Sequence, residues 1–214
     1  MNQWELRWKE GRIGFHLSNV NSYLNHHFEK IFVKKVEKIF VPLCGKSIDL
    51  TWLAGRIKKV VGVEYVRKPV EDFFLENKIK YTIKNVGQFE LFKSDSIDIY
   101  HGDYFALKDQ KIGKFDAIYD RASIVAIESS QRREYVGQLM DLLNIDGIIL
   151  LITLEYDQNQ MYGPPYSVPL SEVEKFFFKH GKIQLLETID IIDDRFRKKG
   201  LDRILERVIK ITKK

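Results

Sequence analysis

The stretch VPLCGKSIDLTWL, residues 41–53, decides the fold. An apolar run, IFVPL (39–43), reads as a strand. A turn with a single glycine, Gly45, follows, and IDLTWLAG (48–55) then reads as a helix stopped by Gly55. A strand, a turn and a helix N-terminus together present backbone N–H groups to a ligand, with or without phosphate. The tripeptide GKS invites comparison with the phosphate loop of ATP-binding proteins, which requires another glycine five residues before the glycine of GK. Phe40 stands there. The flexible loop that wraps phosphates is therefore missing, and Lys46 and Ser47 alone do not make an ATP site.

Outward from this stretch, strands and helices alternate. Toward the N-terminus, residues 1–10 read as a short helix with Trp4 and Trp8 one turn apart on one face. Ser18 or Asn19 is placed to cap a second helix running to about Lys30, with Val20, Leu24 and Phe28 on one face. Toward the C-terminus, VVGVEY (60–65) is a strand, and PVEDFFLENK (69–78) is a helix with Pro69 in its first turn. SIDIYHGDY (96–104) holds a strand that can pair as a hairpin with ELFK. FDAIYD (115–120) is a strand, QRREYVGQLMDLLN (131–144) an amphipathic helix, and DGIILLITLEYD (146–157) a long buried strand. SEVEKFFFKHG (171–181) reads as a helix ended by Gly181, and IQLLETIDIID (183–193) and RILERVIKIT (203–212) read as an antiparallel pair.

Alternation of this kind indicates an α/β fold, a doubly wound and mostly parallel sheet covered on both faces. Seven strands with an antiparallel last strand is the arrangement of the class I S-adenosylmethionine-dependent methyltransferases. The 214 residues suit one domain, 1–214, with residues 1–30 as an N-terminal helical segment. In open sheets the ligand sits at the carboxyl ends of the strands, so those ends are the place to look for chemistry.

Gly45 follows the first strand and Glu64 ends the second, 19 residues later. That is close to the ~20 residues between a glycine turn and an acid that holds a ribose. A carboxylate there accepts from both ribose hydroxyls; the other reading is a solvated glutamate at a strand end. Asp103, in HGDYF after the third strand, offers an acceptor to an adenine amino group, or caps a turn. Arg121, in YDRA after the fourth, can meet a carboxylate bidentately, or pair with Asp120 or Asp116. One glycine turn, two acids and an arginine on a single rim suit adenosine with a charged tail.

Composition narrows the classes. The 44% hydrophobic content, with fourteen Phe and ten Tyr, is ample for a core, and five prolines without low-complexity tracts argue against disorder. No run approaches the ~18 apolar residues of a membrane span, and the polar start MNQWELRWKEGR is unlike a signal peptide. One cysteine, Cys44, fits a reducing cytoplasm. The net charge of +5, from 35 basic and 30 acidic residues, is modest. The basic residues of the C-terminal segment mostly alternate with apolar ones, so no nucleic-acid partner is expected. The five histidines lack ligand spacing, so no metal is expected. Burial as a small hydrophobe, not nucleophilic work, is expected of Cys44.

Taken together, WELRWKEGRIGFH (4–16), VPLCGKSIDLTWLA (41–54), GVE (62–64), YDRASIVAI (119–127) and LEYDQNQMYGPPYSV (154–168) resemble, in this order, the thiopurine S-methyltransferase family. The resemblance runs from about Trp4 to the C-terminus, and VPLCGKS with GPPYSV separates this family from methyltransferases with a glycine-richer first loop. It implies S-adenosylmethionine as cofactor, S-adenosylhomocysteine as product, and methyl transfer to an aromatic or heterocyclic thiol. It implies that Trp8 and Phe15 belong to a lid over the cofactor, that Leu43 lines its methionine part, and that Glu64 binds the ribose with Asp103 near the adenine. Arg121 would lie near cofactor and acceptor, and Arg195, in DDRFRKKG, would face the acceptor; both are expected to act electrostatically. A monomer is implied. The alternative acceptors are selenium or tellurium species, sulfide or halide; the reading from another class is a non-catalytic cofactor- or nucleic-acid-binding protein.

Overall fold

The computed structural model describes residues 3–214; of the helix expected over 1–10, Met1 and Asn2 lie outside the described residues. The chain divides into two compact units, one running through Gly113 and the other Lys114–Lys214.

In the first unit, helices α1 (Gln3–Lys9) and α2 (Ser22–Ile31) precede β1 (Lys38–Val41). Then come α3 (Asp49–Ala54), β2 (Lys59–Glu64), α4 (Arg67–Glu76), β3 (Thr82–Val86), β4 (Phe89–Lys93) and β5 (Ile97–His101). The strands lie in the order β3-β4-β5-β2-β1. β1 and β2 pair in parallel, with Phe40 opposite Val61, and β2 and β5 do so with Glu64 opposite His101. β4 pairs antiparallel with β5, the expected hairpin, and β3 with β4. β1 and β2 are mostly apolar and buried, as expected of strands covered on both faces, and β5 buries Ile97 and Ile99. Phe73 and Phe74 of α4 close over this layer, Phe74 stacked 6.1 Å from Phe92. Loss of one such ring costs about 3–5 kcal/mol.

Asn21, not Ser18 or Asn19, caps α2. Its Oδ1 accepts from the N–H groups of Tyr23 and Leu24, and its own N–H donates to the buried Asp49 carboxylate at 2.8 Å. One residue thus starts α2 and ties it to α3. A cap of this kind is worth about 0.5–2 kcal/mol. Gly55 ends α3 as expected.

In the second unit the elements are β6 (Phe115–Arg121), a 3₁₀ turn at Ile124–Ala126, α5 (Arg132–Leu142), β7 (Leu143–Glu155), α6 (Leu170–Phe177), β8 (Gly181–Asp190), α7 (Asp194–Arg197) and β9 (Leu205–Lys213). Their strand order is β6-β7-β9-β8. β6 and β7 are parallel; β9 runs antiparallel to both β7 and β8, and the β8–β9 pair is the antiparallel pair expected of the last two apolar runs. Gly181 does not end a helix. α6 stops at Phe177, and Gly181 begins β8, where a Cβ would sit 2.4 Å from the Thr212 carbonyl oxygen.

Nine strands are present among the described residues, not seven. Beyond the seven, β4 is the expected hairpin partner of β5 and β3 is an addition. β3, TIKNV, is an edge strand whose side chains are nearly all exposed. It lacks the alternation that a half-buried strand shows, and its Lys84 suits an edge that must not pair with another chain. Among the described residues no helix is long and apolar enough to cross a membrane.

Candidate functional site

The turn after β1 is built around two left-handed residues, Leu43 (φ 44°) and Gly45 (φ 53°). Gly45 adopts this region freely; a leucine there is strained, and such strain concentrates at ligand sites. The turn is fastened to β2: Cys44 N–H donates to the Val63 carbonyl at 2.9 Å. The Glu64 carboxylate fastens it again, since Oε2 accepts the Gly45 N–H and Oε1 accepts the Val66 N–H, both at 2.8 Å. Glu64 is only 7% exposed, so it is not a solvated glutamate. Each carboxylate oxygen has a second lone-pair direction, so the group retains acceptor capacity of the kind that a diol's hydroxyls would use. Burial raises the Glu64 carboxyl from 4.5 to about 7, against the lowering effect of the backbone N–H groups of Val66, Gly45 and Tyr65.

The tripeptide that suggested a phosphate loop has other work. Lys46 pairs with Glu76 at 2.6 Å, and Ser47 Oγ accepts the Asp49 N–H at the start of α3. Cys44 is buried, its sulfur packed where a Cβ on Gly62 would stand. Burial first, and then the Glu64 charge, push its thiol well above the ordinary value. That excludes a resting thiolate nucleophile.

α1 lays Trp8 on the turn. A Cβ added at Gly45 would lie 3.1 Å from Trp8 Cζ2. Phe15 packs edge-on against Trp8 (5.5 Å) and Trp4 (6.0 Å), so the three rings form one cluster. Gly45→Ala therefore meets two penalties: a left-handed alanine, about 1 kcal/mol, and displacement of the Trp8 ring. We expect the thermal midpoint to fall by roughly 3–6 °C. In a Trp8→Leu background the same change should cost only the backbone part, so additive effects in that cycle would show that the ring does not press on the turn.

Asp103 stands just past β5. Gly102 N–H donates to the Glu64 carbonyl at 2.9 Å, which sets the two strand ends side by side. The Asp103 carboxylate accepts the Phe105 N–H, capping the 3₁₀ turn Tyr104–Asp109. The structure thus brings together Trp8, Phe15, Leu43, Gly45 and Glu64, with Asp103 at the neighbouring strand end in a capping role.

Two predicted residues belong to the second unit. Arg121 ends β6 and is followed by Ala122, left-handed at φ 61°. Asp120 beside it is fully buried: one oxygen accepts the Ile124 N–H (3.1 Å), the other the Tyr135 hydroxyl (2.8 Å). Burial raises its carboxyl from 3.8 to about 6. The loop GPPY lies against the turn that follows Arg121, with Tyr166 N–H donating to the Val125 carbonyl. Tyr156 donates its hydroxyl to the Pro165 carbonyl at 2.6 Å.

Arg195 is on the surface in α7, its guanidinium on Asp193, the residue that caps the same helix. The hydrogen bond to Asp193 and its charge raise the Arg195 pKa, and the hydrogen bond from Arg195 lowers that of Asp193. α7 is anchored by Phe196, which packs on the cluster Tyr156, Met161, Leu201 and Ile204. The sequence reading missed Ala122 and Arg132 as parts of this arrangement. A left-handed alanine has no sequence signature, and a buried arginine reads as one more surface charge.

Compared with protein families, the chain fits thiopurine S-methyltransferase over residues 1–214. It is 45% identical to the thiopurine S-methyltransferase of Vibrio atlanticus (strain LGP32) over 96% of this chain and 94% of that protein. It is 38% identical to the enzyme of that name from Pseudomonas fluorescens (strain Pf0-1), over 97% and 96%. Among solved structures it resembles a Burkholderia thailandensis 1,6-didemethyltoxoflavin-N1-methyltransferase holding S-adenosylhomocysteine, at TM-score 0.66 and 12% identity, covering 98% of this chain and 85% of that one. That likeness shows the fold, a class I methyltransferase.

Proposed function

The chain belongs to the thiopurine S-methyltransferase family, and from that premise we propose an S-adenosylmethionine-dependent enzyme that methylates an aromatic or heterocyclic thiol. The observation that carries this reading is the Glu64 carboxylate, buried and fixed by two N–H groups beside a left-handed turn at the strand ends. Those residues fit the cofactor: Glu64 for the ribose hydroxyls, the Leu43–Gly45 turn for the methionine part, Trp8 and Phe15 as the cover. When bound, the cofactor supplies an electrophilic methyl group on a sulfonium.

The chain's own residues then have three tasks. Fixed loops align the acceptor sulfur with the methyl carbon and the departing sulfur, which turns a bimolecular step into one between held partners. Aromatic side chains and the Gly163–Pro165 turn exclude water and offer a flat apolar surface to the acceptor. Arg121 favours the ionised acceptor, because a fixed positive charge stabilises a thiolate over a thiol. Arginine stays protonated and takes no proton itself. Arg195 is assigned to the acceptor with Arg121, Asp103 to the adenine edge, and the chain to work as a monomer in the cytoplasm.

Calorimetric titration with S-adenosylhomocysteine, followed by an acceptor screen on the same sample, tests the reading. We expect micromolar binding and turnover with aromatic thiols above that with selenite, tellurite, sulfide or iodide. Absence of binding would overturn the methyltransferase reading. Faster turnover with a selenium or tellurium species would replace the thiol as acceptor.

A further inference from the structure

Arg132 is the first residue of α5 and is 3% exposed. Its Nε donates to the Ile127 carbonyl at 2.9 Å, at the end of the turn that follows Arg121. Its Nη1 donates to Glu172 Oε2 at 2.7 Å, in the first turn of α6. Its Cζ lies 5.9 Å from the centre of the Tyr166 ring. Tyr166 is fastened on its other sides: its N–H donates to the Val125 carbonyl and its hydroxyl to Glu128 at 3.4 Å. Its ring fills the space above Gly163, where a Cβ would come within 2.1 Å of Cδ1. One guanidinium thus holds the two segments, 121–128 and 163–168, that carry Arg121 and the GPPY loop.

A buried ion pair is weak evidence for stability, because well-packed apolar residues often do as well. What a guanidinium adds is direction: five donors in a rigid plane fix each partner's place. We propose that Arg132 is a positioning residue for the acceptor side of the reaction, setting the Arg121 turn and the GPPY loop in one arrangement. This rests on the reading that these segments meet the methyl acceptor. Arg132 touches no substrate; it acts through Ile127 and Tyr166.

Arg132→Lys keeps the charge and loses the fork, and Glu172→Gln leaves the arginine in place but frees one side of it. With 4-nitrobenzenethiol as acceptor, we expect kcat/KM to fall about 10- to 100-fold in Arg132→Lys, mostly through the acceptor KM, as a misplacement of about 1 Å can do. Glu172→Gln should show the same loss to a smaller degree. The Kd for S-adenosylhomocysteine should stay within about twofold of wild type. Hydrogen–deuterium exchange should quicken in peptides covering 121–128 and 161–168 and not in 41–66. The proposal is overturned if exchange in the two segments is unchanged, or if cofactor affinity and acceptor kcat/KM fall together, which marks a general loss of structure. If the wild type binds S-adenosylhomocysteine but methylates no thiol, the proposed function fails. The exchange measurement still decides the role of Arg132, and Glu172→Gln does so if Arg132→Lys does not fold.

Discussion

Glu64→Ala should weaken S-adenosylhomocysteine binding by about 100- to 20,000-fold at pH 8, read by calorimetry. The magnitude comes from two hydrogen bonds to a charged acceptor at about 1.5–3 kcal/mol each, with 1.4 kcal/mol per tenfold in affinity. A second loss adds to it: the carboxylate also holds Gly45 N–H and Val66 N–H, so the turn loosens when it goes. Glu64→Gln is no gentle control. Its amide NH₂ must face one of those two N–H donors, setting donor against donor. Unchanged affinity in Glu64→Ala would remove Glu64 from the site.

The same carboxylate makes binding depend on pH. In the free protein it titrates near 7 rather than 4.5 because it is buried. For stability the sign is the reverse of the usual paired carboxylate. The folded state holds the proton more tightly than the unfolded one, so the contribution is full below about pH 4.5 and is lost as pH rises through 7. The size is roughly 3 kcal/mol at 1.36 kcal/mol per pH unit. Ribose hydroxyls donate best to the ionised form. Binding should therefore release close to one proton at pH 6 and almost none at pH 8, and affinity should be about tenfold weaker at pH 6. Titrations in two buffers of different ionisation enthalpy measure that proton. A heat independent of buffer at pH 6 would mean that Glu64 is ionised before the ligand arrives.

Features written in side-chain pattern were legible in the sequence; features set by backbone or by distant partners were not. VPLCGKS announced strand, turn and helix because an apolar run, one glycine and a renewed apolar period stand in order. Glu64 was legible through its offset from Gly45, and the structure explains the offset: one strand and one helix must fit between two neighbouring strand ends. β3 was not legible, since an exposed edge strand has no buried face to imprint on its residues. The cap of α2 fell on Asn21 rather than Ser18 or Asn19 because Asp49, 28 positions away, receives its N–H. Leu43 and Ala122 take glycine's conformation without being glycine, and Arg132 joins partners up to 40 positions away. In each of these cases tertiary contacts override local preference.

Arg121→Met should lower kcat for an aromatic thiol by about 100-fold, the scale of removing one fixed group that stabilises developing or resident charge. Methionine keeps the length and apolar stem of the side chain and removes the charge. Arg121 is only half-buried at the end of β6, and the buried framework around it is carried by others. Asp120 holds the Ile124 N–H and the Tyr135 hydroxyl, and Tyr166 holds the Val125 carbonyl. The thermal midpoint should thus move by no more than about 2 °C. Cofactor affinity should change little, since the ribose is assigned to Glu64 in the proposed function. The pH profile distinguishes an electrostatic role from a steric one. A positive charge beside the acceptor lowers the thiol's pKa on the enzyme, so its removal should shift the rising limb of the rate profile to higher pH, toward the value of the free thiol. The loss should then shrink as pH rises and be smallest for the most acidic thiols. A loss equal at every pH, and equal for nitro-substituted and unsubstituted benzenethiols, would mean that Arg121 shapes the pocket and does not stabilise the thiolate.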